Sequence, residues 1–195
     1  MTVAEVQRDD NHVYRVDGEI KPGVTDLLKN AGLLRGIEFV SEEALWRGKV
    51  VHEICRLINK KTLDENSLQP ETRPYADAYQ LFLSETGFEP HMWELMLYHP
   101  TFNFCGQFDV LGRVGNEWWL LDFKSALSCR SIGKWVGYQL ALYHILIMQY
   151  FPEIKNIRRF GLKLMKTGKY NLVPFSDASD YVMGLACINV KNGKV

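Results

Sequence analysis

Two strand-like segments of this sequence, residues 104–114 and 118–125, lie on either side of the pair Gly115-Asn116. Both segments are rich in aliphatic and aromatic residues, and a Gly-Asn pair between such segments is typical of a two-residue β-hairpin turn. A turn of fixed length also fixes which residues face each other along the two strands. Val114 is therefore predicted to lie opposite Glu117, and the partner of every other residue follows from that pair.

This register gathers charged side chains on one face of the predicted sheet. Asp109 is placed directly across from Asp122, and directly opposed residues share a face. Gln107 is placed across from Lys124, which shares the face of Asp122 because the two residues are two positions apart. Two carboxylates, an ammonium and an amide are thus expected to meet. A shift of the register by one residue would separate them.

Such a cluster is costly unless something compensates its negative charge. Asp122 interrupts the largely apolar segment 118–123, and opposed or buried carboxylates destabilise a fold unless a cation lies between them. Lys124 supplies one positive charge, whereas a divalent cation supplies two. Paired carboxylate oxygens suit Mg²⁺ or Mn²⁺ better than zinc. From the register alone, a metal site and ordinary salt bridges among Asp109, Asp122 and Lys124 both stay open.

A predicted helix over residues 42–59, capped by Ser41, carries a possible further ligand. His52 lies on its apolar stripe, where a histidine is either a metal ligand or a satisfied core residue. Gly48 lies one turn earlier on the same face. Because glycine costs about 1 kcal/mol in a helix interior, Gly48 predicts close packing of this helix against another element, with His52 aimed at the carboxylates.

Three more polar residues are candidates for the same site. Gln139 and Tyr143 are four residues apart on a predicted helix over residues 131–150, so they form one polar edge of it. Tyr143 also fits as an ordinary amphipathic core residue. Glu94, in a predicted strand over residues 92–99, fits equally as a ligand, as a base that positions water, or as a plain edge-strand charge.

The order of the predicted elements indicates the fold class. Helices come first, then three strands, a long helix, two strands over residues 157–166 and 170–175, and a helix from residue 177. The third strand, the long helix and the fourth strand can form a βαβ crossover, which makes the sheet mixed. We therefore predict an α+β or α/β fold with a central mixed sheet of about five strands flanked by helices. A single domain is expected over residues 1–195, with a hairpin and short helix over about 11–32 as an appendage.

The charge of the chain is balanced overall but uneven along its length. Lys+Arg and Asp+Glu both number 23, so bulk attraction to duplex nucleic acid is not expected. From residue 152 onward, however, 8 basic residues accompany 3 acidic ones. This basic section either serves an anionic ligand or is a solvated face.

The 4 cysteines form no CxxC pair, so neither a disulfide framework, a zinc site nor an iron–sulfur cluster is predicted. Residues 1–10 have no apolar core of the kind found in signal peptides. The most apolar segment, residues 138–151, is too short and too polar to span a bilayer. These observations predict a cytoplasmic protein without a membrane partner.

Four segments, in this order, resemble motifs of the PD-(D/E)XK nuclease superfamily, most closely its RecB-like exonuclease branch. They are Gly48–His52 (a helical histidine motif), Gly106–Asp109 (the aspartate motif), Leu121–Ser125 (the (D/E)xK strand) and Gln139–Tyr143 (the QxxxY helix motif). The hairpin at Asp17-Gly18 and the following Gly23-Val24-Thr25 also resemble openings of phage-encoded members. Phe108 stands where the superfamily has proline.

The resemblance implies a restriction-endonuclease-like core and metal-dependent hydrolysis of a phosphodiester. It assigns Mg²⁺ or Mn²⁺ to Asp109, Asp122, His52 and the backbone carbonyl of Phe123, and gives Lys124 the task of orienting water or stabilising the transition state. Catalytic candidates are thus Asp109, Asp122, Lys124 and Glu94, and substrate-binding candidates are Gln139, Tyr143 and Gln107. The basic section from residue 152 and Trp118, Trp119 and Trp135 are weighed as further contacts to the nucleic acid.

Four functions are compatible with these observations. The leading expectation is a DNA exonuclease acting on single- or double-stranded ends in recombination, repair or phage DNA metabolism, with an oligomer or a recombination partner protein as a possible assembly. The alternatives are a structure-specific or restriction-type endonuclease, a catalytically silent nucleic-acid-binding module, and a structural protein whose charges form only salt bridges.

Overall fold

A computed structural model of the chain describes residues 5–34, 41–126 and 132–191. The strands are β1 (Val6–Arg8), β2 (Tyr14–Val16), β3 (Glu19–Lys21), β4 (Glu89–Trp93), β5 (Met96–His99), β6 (Phe104–Gln107), β7 (Val110–Val114), β8 (Glu117–Ala126), β9 (Ile157–Met165) and β10 (Tyr170–Pro174). The helices are α1 (Val24–Asn30), α2 (Glu42–Asn59), α3 (Arg73–Thr86), α4 (Trp135–Tyr150) and α5 (Ser179–Lys191), with a short 3₁₀ turn at Glu65–Ser67.

A five-stranded mixed sheet forms the centre of the fold, in the order β10-β9-β8-β7-β4. β8 and β9 are parallel, while the other neighbours in this sheet are antiparallel. A parallel pair needs a long crossover connection, which α4 supplies. The predicted fold class, a mixed sheet of about five strands flanked by helices, is confirmed.

Each face of this sheet is covered by helices, so the strands are buried from both sides. On one face Leu120 packs in a cluster with α1, α4 and α5 residues such as Leu140. On the other face Leu121 packs in a cluster with Tyr79 and Phe82 of α3 and residues of α2. Because successive side chains of β8 point to opposite faces, Asp122 and Lys124 share the α4 face with Leu120.

The predicted hairpin register is confirmed from Val114↔Glu117 to Val110↔Leu121. The turn residue Gly115 has φ of +57°, which a glycine adopts without strain. The pairing then stops, because the chain leaves the sheet at Asp109. The prediction of one continuous strand over residues 104–114 is therefore wrong, and so is the pairing of Gln107 with Lys124.

Gln107 pairs instead with Met96, in a separate two-stranded sheet made of β5 and β6. The predicted strand over residues 92–99 is broken as well, at Glu94, whose φ is +50°. The two breaks are joined by a hydrogen bond of 3.0 Å from the Glu94 N–H to the Asp109 carbonyl. This paired bend turns β5 and β6 out of the main sheet and towards α4.

The N-terminal hairpin forms as predicted, with Asp17 and Gly18 both at positive φ, 51° and 79°. This is the conformation that a tight two-residue hairpin turn requires. β1 adds a third strand to it. α1 begins at Val24 after the N-cap residue Gly23, whose N–H donates a hydrogen bond of 3.0 Å to the Asp26 carboxylate.

No helix within the described residues has the length and apolar character needed to cross a bilayer. Cys55, Cys105 and Cys187 are free and buried. Cys129 lies outside the described residues.

Candidate active site

A cavity of about 550 Å³ opens between α1, α2, α4, β8, the bends at Glu94 and Asp109, and the N-terminal strands. The predicted site residues that line it are His52, Glu94, Gln107, Asp109, Asp122, Lys124, Gln139 and Tyr143. They come from five separate parts of the sequence. Phe123 points to the other face of the sheet, where its ring packs with α3.

Asp122 lies in β8, one residue beyond the last β7–β8 pair, and is only 2% exposed. Its carboxylate forms an ion pair with the ammonium of Lys124, and that ammonium also lies 4.9 Å from the centre of the Trp135 ring. Burial, with the negative charge of Asp109 adding to it, raises the pKa of Asp122 to about 6 although Lys124 acts in the opposite direction. The positive charge of Lys124 is thus too small to offset the cost of burying the ionised Asp122 carboxylate.

Asp109 reaches the same cavity from the bend, not from a strand. Its Oδ2 atom accepts a hydrogen bond of 2.5 Å from the Phe123 N–H, and its Oδ1 atom lies 3.3 Å from Nδ1 of His52. Burial raises the pKa of Asp109, but His52, Lys124 and the Phe123 N–H together outweigh burial, so the pKa is lowered overall. The two aspartates therefore meet as expected, although by a different geometry from the predicted cross-strand pair.

His52 is held by α2 against the end of the hairpin. Its ring contacts the ring of Phe123 edge-on at 5.8 Å. Burial lowers the pKa of His52, while the Asp109 carboxylate raises it and prevails. The expectation of close packing at Gly48 is wrong: a Cβ added there would meet no atom within 4 Å. Gly48 lines the open cavity instead.

Glu94 lies at the bend between β4 and β5 and lines the cavity. Its Oε2 atom lies 3.6 Å from Nε of Arg56. Burial raises the pKa of Glu94, and Arg56 and His52 act against it. A partly buried carboxyl group with a raised pKa beside His52 is suited to accept a proton near neutral pH.

Two amide oxygens of the cavity have no hydrogen-bond partner among the described residues. Gln139 donates to the Tyr143 hydroxyl at 2.9 Å, but its Oε1 atom is buried and unpaired, as is Oε1 of Gln107. Burial without a partner costs about 1–3 kcal/mol for such a group. Buried unpaired polar atoms at a cavity wall indicate a place for water or a ligand.

The donor set fits a hard divalent cation by chemistry, but it is not pre-assembled. Within residues 5–34, 41–126 and 132–191, no three His, Cys, Asp or Glu side chains stand close enough to hold a metal ion. Asp109 is engaged instead by His52 and the Phe123 N–H, and Asp122 by Lys124. Two carboxylates suit Mg²⁺ or Mn²⁺, and the raised pKa of Asp122 is an electrostatic cost that a cation would offset.

Sequence reasoning missed several residues around this site. Arg8, His12 and Lys49 line the cavity; of these, only Lys49 lay within a recognised motif. Lys163, 3% exposed, is the register partner of Lys124 on the neighbouring strand. In the sequence, Lys163 could have been noticed because it lies between Leu162 and Leu164, which are both buried in β9.

The positive charge of the cavity comes from Arg8, Lys49 and Lys124 and not from the basic section after residue 151. None of the described residues beyond 151 lines the cavity. Arg158 instead pairs with Glu117, and the buried Arg159 pairs with Asp180. Among the tryptophans considered for base stacking, Trp119 packs on Phe160 with 4.5 Å between ring centres.

Comparisons with known proteins bear on the fold. No protein-family model matches the sequence, and no curated protein matches it. A crystal structure of a candidate exonuclease from Eubacterium rectale is similar over 90% of this chain and 82% of that chain, with 14% identity and a TM-score of 0.55. Crystal structures of an alkaline exonuclease (LHK-Exo) from Laribacter hongkongensis and of LHK-Exo in complex with dAMP are similar at lower TM-scores, 0.36 and 0.35, with 14% and 13% identity over 89% of both chains. The chain thus has the fold of a candidate exonuclease.

Proposed function

We propose that this chain is a metal-dependent deoxyribonuclease of the PD-(D/E)XK type, which hydrolyses phosphodiester bonds from DNA ends. The observation that carries the proposal is the convergence of His52, Asp109, Asp122 and Lys124 on one cavity. A buried carboxylate pair beside an ammonium is expensive to retain as a purely structural device. The similar fold of a candidate exonuclease agrees with a nuclease.

In this mechanism, Asp109, Asp122 and His52 would hold Mg²⁺ or Mn²⁺, together with the Phe123 carbonyl. The chemistry that such a cation supplies when bound is charge neutralisation at the phosphate and a lowered pKa of bound water. Lys124, with its ammonium at Asp122, orients the attacking water or stabilises the charge that develops on the phosphate oxygens.

The remaining cavity residues move a proton and hold the substrate. Glu94 accepts the proton of the attacking water, since burial raises its pKa towards neutrality. The unpaired amide oxygens of Gln107 and Gln139 accept hydrogen bonds from base edges or sugar hydroxyls, and Tyr143 positions Gln139. Such an activity would serve DNA recombination, repair or phage DNA metabolism, the settings of the family that the sequence resembles.

End-labelled linear DNA and covalently closed circular DNA, each with Mg²⁺, Mn²⁺ or EDTA, test the proposal directly. We expect cleavage of the linear substrate alone, and only with metal. Cleavage of closed circles would instead establish the endonuclease alternative. Binding without cleavage in any metal would establish the silent module and refute hydrolysis.

Substitutions at the acidic pair test the site assignment. Asp122→Asn should reduce hydrolysis at least 10³-fold, in line with the several kcal/mol that metal ligands supply. In EDTA the same substitution should raise the free energy of unfolding by about 1–2 kcal/mol at pH 7, since it removes a buried charge. Asp77→Asn, an exposed aspartate of α3, is the matched control. Full metal-dependent activity of Asp122→Asn would refute the assignment.

A further inference from the structure

Three basic residues outside the proposed catalytic set line the same cavity, namely Arg8, His12 and Lys49. We call them the basic cluster. Arg8 ends β1, His12 lies in the following loop, and Lys49 comes from α2. They lie within electrostatic reach of one another, since burial, Arg8 and Lys49 all lower the pKa of His12. Asp9 and Asp26 act on the His12 pKa in the opposite direction, but Arg8 and Lys49 are exposed at the open cavity, where positive charge attracts an anionic ligand.

The loop that carries His12 is held in place by local hydrogen bonds. The Asp9 carboxylate accepts from the N–H groups of Asn11 at 3.0 Å and Val13 at 2.9 Å, and the His12 N–H donates to the Asp9 carbonyl at 2.9 Å. His12 itself has a φ of +62°, a conformation that few residues other than glycine adopt. This strained residue is directed to the cavity wall by an ordered loop.

Arg8 and Lys49 lie outside this loop, and neither forms a salt bridge, within the described part of the chain, that would neutralise its charge. Arg8 lies near the phenol of Tyr14: burial raises the pKa of Tyr14, and the positive charge of Arg8 acts in the opposite direction. Tyr14 is buried and packs tightly on Gly23, where an added Cβ would lie 2.8 Å from the Tyr14 ring. Among the salt bridges of the described residues, none includes Arg8 or Lys49.

Open space connects the basic cluster with the acidic pair. Gly48 lies beside Lys49 and one helical turn before His52, and it lines the cavity with no atom within 4 Å of where a Cβ would lie. A polymer with several phosphates can therefore reach both groups in one cavity. A small diester with one phosphate has no second phosphate to place at the basic cluster.

We infer that Arg8, His12 and Lys49 bind a second phosphate of the nucleic acid, beside the one that is cleaved, so that the site selects a polynucleotide over a small phosphodiester. The inference rests on the proposed function for its catalytic part. The second phosphate is either an internal backbone phosphate, with one negative charge, or a terminal one, with up to two, and both present oxygen acceptors that Arg and Lys bind.

A binding experiment tests this without turnover. The Asp122→Asn protein, with and without Arg8→Gln and Lys49→Gln, is titrated with a fluorescent single-stranded oligonucleotide at several salt concentrations. We expect the double substitution to weaken binding 10- to 100-fold at low salt. It should also reduce the slope of log K against log salt by about 0.7, since one phosphate contact to a single strand contributes about 0.7. Arg15→Gln with Lys60→Gln, two exposed positions that do not line the cavity, removes the same charge as a control.

Further variants separate a phosphate contact from loss of folding. Arg8→Lys with Lys49→Arg keeps both charges and should keep the salt slope of the parent. An equal loss of affinity in the control pair, or an unchanged slope in the Gln pair, would overturn the inference. Oligonucleotides with a 5′-hydroxyl, a 5′-phosphate or a 3′-phosphate show whether the lost contact is terminal or internal, and either result supports it.

Hydrolysis gives a second readout. On an otherwise native background, the ratio of kcat/KM for the oligonucleotide to kcat/KM for bis(p-nitrophenyl) phosphate should fall at least tenfold with the two Gln substitutions. A protein that cleaves neither substrate would refute the proposed function, while the binding experiment would still decide the inference. An unchanged ratio in an active protein would overturn the inference alone.

Discussion

Gly48→Ala should stabilise this protein, although a glycine in the middle of a helix usually marks a tight contact. The residue lies within α2, Glu42–Asn59, and an added Cβ meets no atom within 4 Å. Glycine is about 1 kcal/mol less favourable than alanine in a helix interior because its unfolded backbone is freer. Because the added methyl group meets no steric obstacle, we expect the free energy of unfolding to rise by about 0.5–1 kcal/mol. For a chain of this size, that corresponds to a rise in Tm of roughly 1–4 °C.

Two other helical glycines provide matched controls in the same protein. At Gly137 of α4, an added Cβ would lie 2.8 Å from Oδ2 of Asp180, so alanine should destabilise the fold by about 1–3 kcal/mol. At Gly184 of α5, the nearest atoms are 3.1 and 3.3 Å away, on the flexible side chain of Leu142. There the gain in helix propensity and the mild crowding should nearly cancel. The predicted order of stability is thus Gly48→Ala, then Gly184→Ala, then Gly137→Ala.

Urea denaturation of the three variants and the parent, followed by circular dichroism, measures these differences as shifts in the midpoint at constant slope. Gly48→Leu adds a functional readout, because its side chain would project into the cavity and should reduce DNA hydrolysis while the helix stays stable. The reasoning would be refuted if Gly48→Ala lowered the midpoint, since that would mean that α2 packs closely at this position after all.

Two further predictions concern groups away from the cavity. Burial lowers the pKa of His144 to about 4 in the folded protein, against about 6.5 unfolded, so the folded state binds fewer protons and stability should fall as the pH drops from 6.5 to 4. After allowance for its partial exposure the loss is about 1–2 kcal/mol, and His144→Gln should remove it in denaturation curves measured across that range. For the buried pair at 3.1 Å between Arg159 and Asp180, Asp180→Asn should cost about 3–5 kcal/mol, whereas the double substitution Arg159→Met with Asp180→Leu should cost much less. Equal losses in the single and double variants would contradict that interpretation.

Local sequence signals were sufficient for most of the helices and for the hairpin register. Ser41 caps α2 through a hydrogen bond from the Ala44 N–H at 3.2 Å, and Gly87 ends α3 at a φ of +66°, as their residue types predict. The Gly115-Asn116 turn set Val114 opposite Glu117. In each case the deciding interaction lies within a few residues along the chain, so the sequence pattern contains it.

The strand breaks could not be found in this way. The segments containing Glu94 and Asp109 both look like continuous strands, because nothing local forbids extending them. They bend because the Glu94 N–H bonds to the Asp109 carbonyl, and because the Asp109 carboxylate accepts from the Phe123 N–H. These contacts join residues that are 15 and 14 positions apart, so only the folded chain makes them.

The sequence by itself determined which residue types could serve the site: two aspartates and a lysine spaced by a known turn, a histidine on a helical stripe, and the Gln139–Tyr143 pair. Tertiary structure decided how they meet, with Asp109 on a bend and Gly48 beside open space rather than a packed neighbour. It also decided that the cavity's positive charge comes from Arg8, Lys49 and Lys124 and not from the basic C-terminal section. The physical reason is that local spacing fixes faces and turns, whereas cavities and their charge arise where distant segments pack together.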